Sequence, residues 1–149
     1  MAEQIIEITR TSSASPDDVF ALLLVAERWP DWSPLGTGTV ELRAPQGPGA
    51  MGEIRVFRTG RYTSRERVIV SDRPHHFAYE LLSGLPLRGY QAHVRIAPTA
   101  GGSTITWRST FHAKVPGTGW IFRRKLGSFI GDVVDGLATA AERTASTSS

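Results

Sequence analysis

A chain of 149 residues with 40% hydrophobic and 21% charged side chains reads as one globular domain, residues 1–149, with enough length for a sizeable core. No run approaches eighteen unbroken apolar residues, which excludes a membrane-spanning helix. The absence of cysteine excludes disulfides, thiol catalysis and thiolate metal sites. The net charge of +3 is mild, and the arginines are interspersed with carboxylates, a pattern that argues against nucleic acid as a partner.

Met1-Ala2-Glu3-Gln4 has no basic region followed by an apolar stretch, so no signal peptide is expected, and a cytoplasmic location fits a chain without cysteine. Residues 4–11 are rich in β-branched side chains and predict a first strand. Ser15 is a good N-cap, Pro16 suits the first helical position, and Asp17 and Asp18 favour the first turn of a short helix. Pro30 stops any helix beyond Trp29. Val40 and Leu42 mark a second strand, and Pro45-Gln46-Gly47-Pro48-Gly49 turns the chain into a third over residues 52–58. Further strands are predicted over 62–70, 77–82, 89–97 and 104–114. Beyond Pro116, Gly117 and Gly119, the apolar residues Phe122, Leu126, Phe129, Ile130, Val133, Leu137 and Ala141 step by three and four. That spacing predicts a long amphipathic helix of about 25 residues. Gly127, Gly131 and Gly136 each cost it about 1 kcal/mol relative to alanine. Close backbone approach, or bending beside a cavity, would account for them. Residues 144–149 are low in complexity and read as a frayed tail.

Alternation assigns the faces of the strands. Pairing the last two strands about Gly101-Gly102 sets Ile96 opposite Ile105, Val94 opposite Trp107, Ala92 opposite Ser109 and Tyr90 opposite Phe111, all on one face. Phe77, Tyr79 and Leu81 join that face, as do Val70, Val68, Glu66, Ser64 and Tyr62. The face begins apolar and ends mixed. Phenols, a hydroxyl and a carboxyl on an inward face suit a hydrated or ligand-filled cavity better than a dry core, where each polar group needs a buried partner.

Several segments resemble the START/Bet v 1-like superfamily (SRPBCC), in particular its bacterial polyketide cyclase/dehydrase and lipid-transport-like branch. They are Ala14-Ser15-Pro16-Asp17-Asp18-Val19-Phe20, Trp29-Pro30-Asp31-Trp32-Ser33-Pro34, Gly52, Asp72-Arg73-Pro74 and Gly101-Gly102-Ser103-Thr104-Ile105-Thr106-Trp107. The resemblance spans roughly residues 4–143 and consists of structural punctuation, with no catalytic signature. It implies an α+β helix-grip fold, a seven-stranded curved antiparallel sheet wrapped around a long C-terminal helix. Two short helices would lie between strands 1 and 2, and the sheet order would be 1-7-6-5-4-3-2.

The candidate ligand-binding residues are Trp32, Tyr62, Glu66, Tyr79, Tyr90, Trp107, Phe111 and Phe129. Glu66, inward by the same alternation, is the most informative titratable group. Burial should raise its pKa, and a hydrogen-bond network with Tyr62, Tyr79 or Tyr90 is expected. A strand bulge that turned Glu66 outward, to pair with Arg65 or Arg67, would remove it from the site. Trp29 and Trp32 suit core plugs as well as ligand contacts. Trp120 and the Leu85-Pro86-Leu87 loop suit a cavity mouth. The run Arg123-Arg124-Lys125 reads first as a solvated helix face and second as a contact for anionic membrane or phosphate. The four histidines have no chelating arrangement. His75 and His76 point to opposite faces, and His93 and His112 lie about four residues apart along the outer face, roughly 13 Å. No metal and no cofactor are expected, and no inward histidine is available to activate Ser64 or Ser109.

These readings point to a protein that binds an apolar or aromatic small molecule, lipid-like or polyketide-like. The alternatives are a polyketide cyclase/aromatase-type enzyme and an Hsp90-activator-like interaction protein, the latter disfavoured by a polar outer sheet face. The sequence leaves monomer and homodimer equally open.

Overall fold

The computed structural model describes residues 2–147, with side chains through Ala145. Seven antiparallel strands form one sheet: β1 (Gln4–Ser12), β2 (Thr37–Leu42), β3 (Ile54–Thr59), β4 (Tyr62–Asp72), β5 (His76–Ser83), β6 (Leu87–Thr99) and β7 (Gly102–Ala113). Their order is β1-β7-β6-β5-β4-β3-β2. Between β1 and β2 lie α1 (Pro16–Leu24) and a 3₁₀ helix (Ala26–Asp31), and the chain closes with α2 (Gly119–Thr147). This is the helix-grip architecture that the sequence predicts. The α1 start is capped as read, with the Asp18 N–H donating to Ser15 Oγ at 3.2 Å. Helix α2 runs on through Thr147, into the stretch where a frayed tail is expected, and Ser148 and Ser149 lie outside the described residues.

The register of β6 with β7 places Ile96 opposite Ile105, Val94 opposite Trp107 and Ala92 opposite Ser109. Beyond these, the ladder shifts. Gly89 and Tyr90 together face Phe111, and Gly89 adopts a φ of +63°, the left-handed conformation that suits glycine in a bulge. Tyr90 still reaches Phe111, with ring centroids 6.0 Å apart. The β4–β5 ladder shifts twice, between Arg65 and Glu66 and again between Val68 and Val70. The second shift pairs Val70 with Ala78 and leaves it half-buried. Simple alternation, which puts Val70 beside Val68 on the inner face, fails there.

Helix α2 holds the sheet unevenly. Its C-terminal half is packed tightly: Val133, Val134, Leu137 and Ala141 are almost fully buried, each apolar side chain larger than alanine stabilising the fold by about 1.5–3 kcal/mol. Ser12 Oγ donates to the Ala138 carbonyl at 3.0 Å, and Arg10 pairs with Asp135 at 2.6 Å. Gly136 lies so close to the Trp32 carbonyl oxygen that a Cβ there would overlap it. The N-terminal half stands off, and Phe122, Leu126 and Phe129 remain half-buried. Of the glycines inside the helix, Gly136 is required by close approach, Gly131 would meet only the Ile8 side chain at 3.6 Å, and Gly127 faces open space.

Two substitutions of the same chemistry should therefore have opposite signs. Gly136→Ala should destabilise the fold by about 1–3 kcal/mol through overpacking against Trp32. Gly127→Ala should stabilise it by up to about 1 kcal/mol through helix propensity. Urea denaturation of both variants checks this, and equal shifts would contradict the uneven seating of α2.

Candidate functional site

Where α2 stands off, a cavity of about 500 Å³ opens between its first four turns and the concave face of the sheet. That volume lies within the usual range of small-molecule sites. Trp29, Tyr79, Tyr90 and Trp107 form its deep wall, and Phe57, Leu81, Leu126, Phe129, Ile130 and Val133 form its sides. Trp29 stacks on Phe57 at 5.0 Å and meets Tyr79 and Trp107 edge-on at 6.3 and 6.0 Å. Its indole N–H donates to the Leu23 carbonyl at 3.2 Å, which fixes the ring at the back of the cavity. The mouth is bordered by Thr59 and Tyr62 on one side, Leu85 and Pro86 on another, and Phe122 and Lys125 of α2 opposite.

The polar groups of the wall are few and aligned. Tyr90 Oη and Ser109 Oγ lie 3.0 Å apart. Trp107 Nε1 is buried with no hydrogen-bond partner. It lies near the Tyr79 hydroxyl without the geometry of a closed hydrogen bond. Both phenols are held neutral: burial pushes Tyr90 up to about 12 and Tyr79 well above its ordinary value. Glu66 is the one carboxyl in the lining. It is half-buried, and the surface it keeps faces the cavity. Burial pushes its pKa up to about 7, against the opposing pull of the Arg55 charge and a long hydrogen bond (3.4 Å) donated by Ser64 Oγ. At neutral pH the carboxyl is thus divided between its acid and its carboxylate, able either to donate or to accept a hydrogen bond.

Arg55 stands opposite Glu66 across the β3–β4 pair. Fully buried, it donates from Nε to Glu53 Oε2 at 2.7 Å and from Nη2 to the Leu24 carbonyl at 2.8 Å. Its guanidinium lies 5.6 Å from the Trp29 ring centroid and 5.1 Å from that of Phe77.

The model of the family described as polyketide cyclase/dehydrase and lipid transport matches residues 3–142. The chain belongs to that family. Solved structures of similar fold include a START superfamily protein from Mycobacterium smegmatis, with 14% identity over 95% of this chain and 99% of that one and a TM-score of 0.81. Another is the di-domain ARO/CYC protein StfQ of the steffimycin biosynthetic pathway, at 21% identity and a TM-score of 0.80. The match covers 97% of this chain and 52% of StfQ, so the chain spans about half of that protein. A third is norcoclaurine synthase from Thalictrum flavum in complex with dopamine and hydroxybenzaldehyde, at 18% identity over 93% of this chain and 86% of that one, TM-score 0.72. None of the curated proteins matches the chain. At these identities the structural likenesses speak for the fold alone.

For this member of the polyketide cyclase/lipid-transport family, Tyr62, Glu66, Tyr79, Tyr90, Trp107 and Phe129 all line the cavity, Tyr62 at its exposed mouth. Trp32 and Phe111 do not. Trp32 lies one layer behind Trp29, 5.0 Å from it, its position set by the contact of its carbonyl with Gly136. Phe111 backs Tyr90 from the other side of the bulge. The expected bond from Glu66 to a tyrosine is absent among the described residues: Glu66 pairs with Leu81 and Val68 with Tyr79, so Tyr79 stands two positions along from the carboxyl, whose partner is Ser64. On the outer face, His76 Nε2 and His93 Nδ1 lie 2.8 Å apart, a contact hidden from a reading that starts the fifth strand at Phe77. Among the described residues no group of three or more metal-ligating side chains assembles. The Glu53–Arg55 pair also went unread. Alternation from Phe57 places both residues inward, but charged side chains are rarely given a core position.

Because Glu66 binds its proton more tightly in the folded state, folding stability should fall as pH rises from about 4.5 to about 7 and level off above. Glu66→Gln removes this loss. Compared with wild type, the variant should gain about 1–3 kcal/mol at pH 8 and almost nothing at pH 4. Thermal unfolding at the two pH values checks it, and a pH-independent difference would show that the carboxyl does not titrate in the cavity.

Proposed function

We propose that the protein binds one apolar or aromatic small molecule, lipid-like or polyketide-like, that carries a hydrogen-bonding group at the end reaching Glu66. The observation that carries this reading is a cavity of about 500 Å³ whose wall is almost wholly aromatic and aliphatic, with a single carboxyl titrating near neutrality. The aromatic wall supplies affinity by burying apolar surface. Glu66 meets a ligand donor as a carboxylate or a ligand acceptor as an acid. The family's description includes polyketide cyclase and lipid transport, and norcoclaurine synthase, of similar fold, holds the small aromatic molecules dopamine and hydroxybenzaldehyde.

A second reading, a cyclase or aromatase, is favoured by the same carboxyl. Glu66 as carboxylate would take a proton from carbon alpha to a ligand carbonyl, while a neutral phenol, Tyr79 or Tyr90, donates to the carbonyl oxygen. The enolate carbon would then attack a second carbonyl of the same ligand, whose oxygen takes the proton back from Glu66, and that hydroxyl would leave as water with a remaining α-hydrogen.

Native mass spectrometry of protein purified with mild extraction should reveal one retained apolar molecule per chain. Titration with the neutral fluorophore N-phenyl-1-naphthylamine should give an affinity that weakens about tenfold or more between pH 6 and pH 8, since filling the cavity desolvates the Glu66 charge. Glu66→Gln should abolish that pH dependence and keep the binding. Absence of uptake at either pH would overturn the binding reading. Loss of water from a bound poly-β-ketone, abolished in Glu66→Gln, would favour the enzyme.

A further inference from the structure

Three segments frame the mouth of the cavity: residues 57–63 around the β3–β4 turn, 83–89 around the β5–β6 loop, and 113–126 from the end of β7 into α2. The first carries Arg58 and Arg61 and the second Arg88. The third carries Lys114 and the run Arg123-Arg124-Lys125. None of the three contains an aspartate or a glutamate. Seven of the chain's 17 cations are thus gathered at one end, with Glu3, just ahead of β1, a carboxylate beside them. Among the described residues these seven form no ion pair, whereas eight arginines elsewhere do. A chain of nearly balanced charge has one predominantly cationic end, and the cavity opens through it.

The same end exposes apolar surface. Trp120 is 58% exposed, Val115 56% and Tyr62 56%, and the apolar Leu85-Pro86 tip lies on the rim. An indole left in solvent at the first turn of a helix, followed three residues later by a cationic run, is the pattern of interfacial anchors. The ring enters the boundary of headgroups and acyl chains, and the cations meet phosphates.

We propose that the cavity mouth is a docking surface for an anionic lipid bilayer. Trp120, Val115 and Tyr62 enter the headgroup layer, and Lys114, Arg123 and Arg124 contact lipid phosphates. No helix among the described residues is long and apolar enough to cross a membrane, so the contact is peripheral. Cations alone would serve an acidic protein equally well. The exposed apolar side chains on the same segments as the cations favour lipid, because an acidic helix offers them nothing to enter. Docked in this way, the cavity opens toward the acyl layer, and an apolar ligand crosses no bulk water on its way in or out. The contact stands independently of what fills the cavity.

Sedimentation with vesicles tests it. The protein should partition onto vesicles of equal parts phosphatidylcholine and phosphatidylglycerol, release as salt is raised, and ignore pure phosphatidylcholine. Arg123→Glu with Arg124→Glu should weaken partitioning at least about tenfold. Trp120→Ala should weaken it and remove a blue shift of tryptophan emission on binding. Circular dichroism and retained N-phenyl-1-naphthylamine uptake confirm that each variant is folded. Should the first pair fail to fold, Arg88→Glu with Lys114→Glu takes its place, with the same loss expected. Equal partitioning onto both vesicle types, no partitioning onto either, or full partitioning of the folded charge-reversed variant would overturn the proposal. Capture of polyglutamate without capture of anionic vesicles would overturn it in favour of an acidic protein partner.

Discussion

The seating of α2 on the sheet governs the rest of this molecule. A helix that must lie across a curved sheet can follow it closely along part of its length only. Here the close part is the C-terminal half, where Gly136 admits the Trp32 carbonyl and Ser12 ties β1 to the helix backbone at Ala138. Everything N-terminal to Ile130 then stands away from β4 and β5, and the gap is the cavity. The side chains there are large, yet Phe122, Leu126 and Phe129 stay half-buried because they line a space and have no facing layer to interlock with. Stability is thereby concentrated at one end of the helix and room for a ligand at the other.

The electrostatics beneath the cavity follow the same division. Two carboxyls approach Arg55, and they have different environments. Glu53 is fully buried and hydrogen-bonded to the guanidinium. Glu66, facing the cavity, receives only the field of that charge and a weak bond from Ser64. A buried pair of this kind contributes little net stability but is costly to break, since either partner alone would leave an uncompensated charge. It fixes Arg55 under Trp29 and Phe77, and it gives Glu66 a neighbour that draws its pKa back toward neutrality against the effect of burial.

Much of this was legible in the sequence. Apolar steps of three and four placed α2, and alternation carried Glu66, Tyr79, Tyr90 and Trp107 to the inner face, where the structure has them. The misreadings share a physical cause, because alternation assumes an unbroken ladder. The bulge at Gly89 and the shift between Val68 and Val70 move side chains by a residue, which is enough to turn Val70 and to set Gly89 and Tyr90 together against Phe111. Trp29 and Trp32 differ in role for a reason outside their own segment. Gly136, more than a hundred residues away, pins one of them behind the other. The cationic mouth was equally hidden, since its three segments are remote in sequence and only the fold assembles them.

The central claim, that the space under the first turns of α2 is a binding site and not a packing defect, is tested most directly by filling it. Leu81→Trp places an indole in the cavity, whose wall Leu81 lines, away from the tightly packed C-terminal half of the helix. The account predicts that wild type takes up one N-phenyl-1-naphthylamine per chain, and that Leu81→Trp takes up none while its thermal midpoint stays level or rises. Undiminished uptake by the folded, filled variant would place the binding elsewhere and contradict the account.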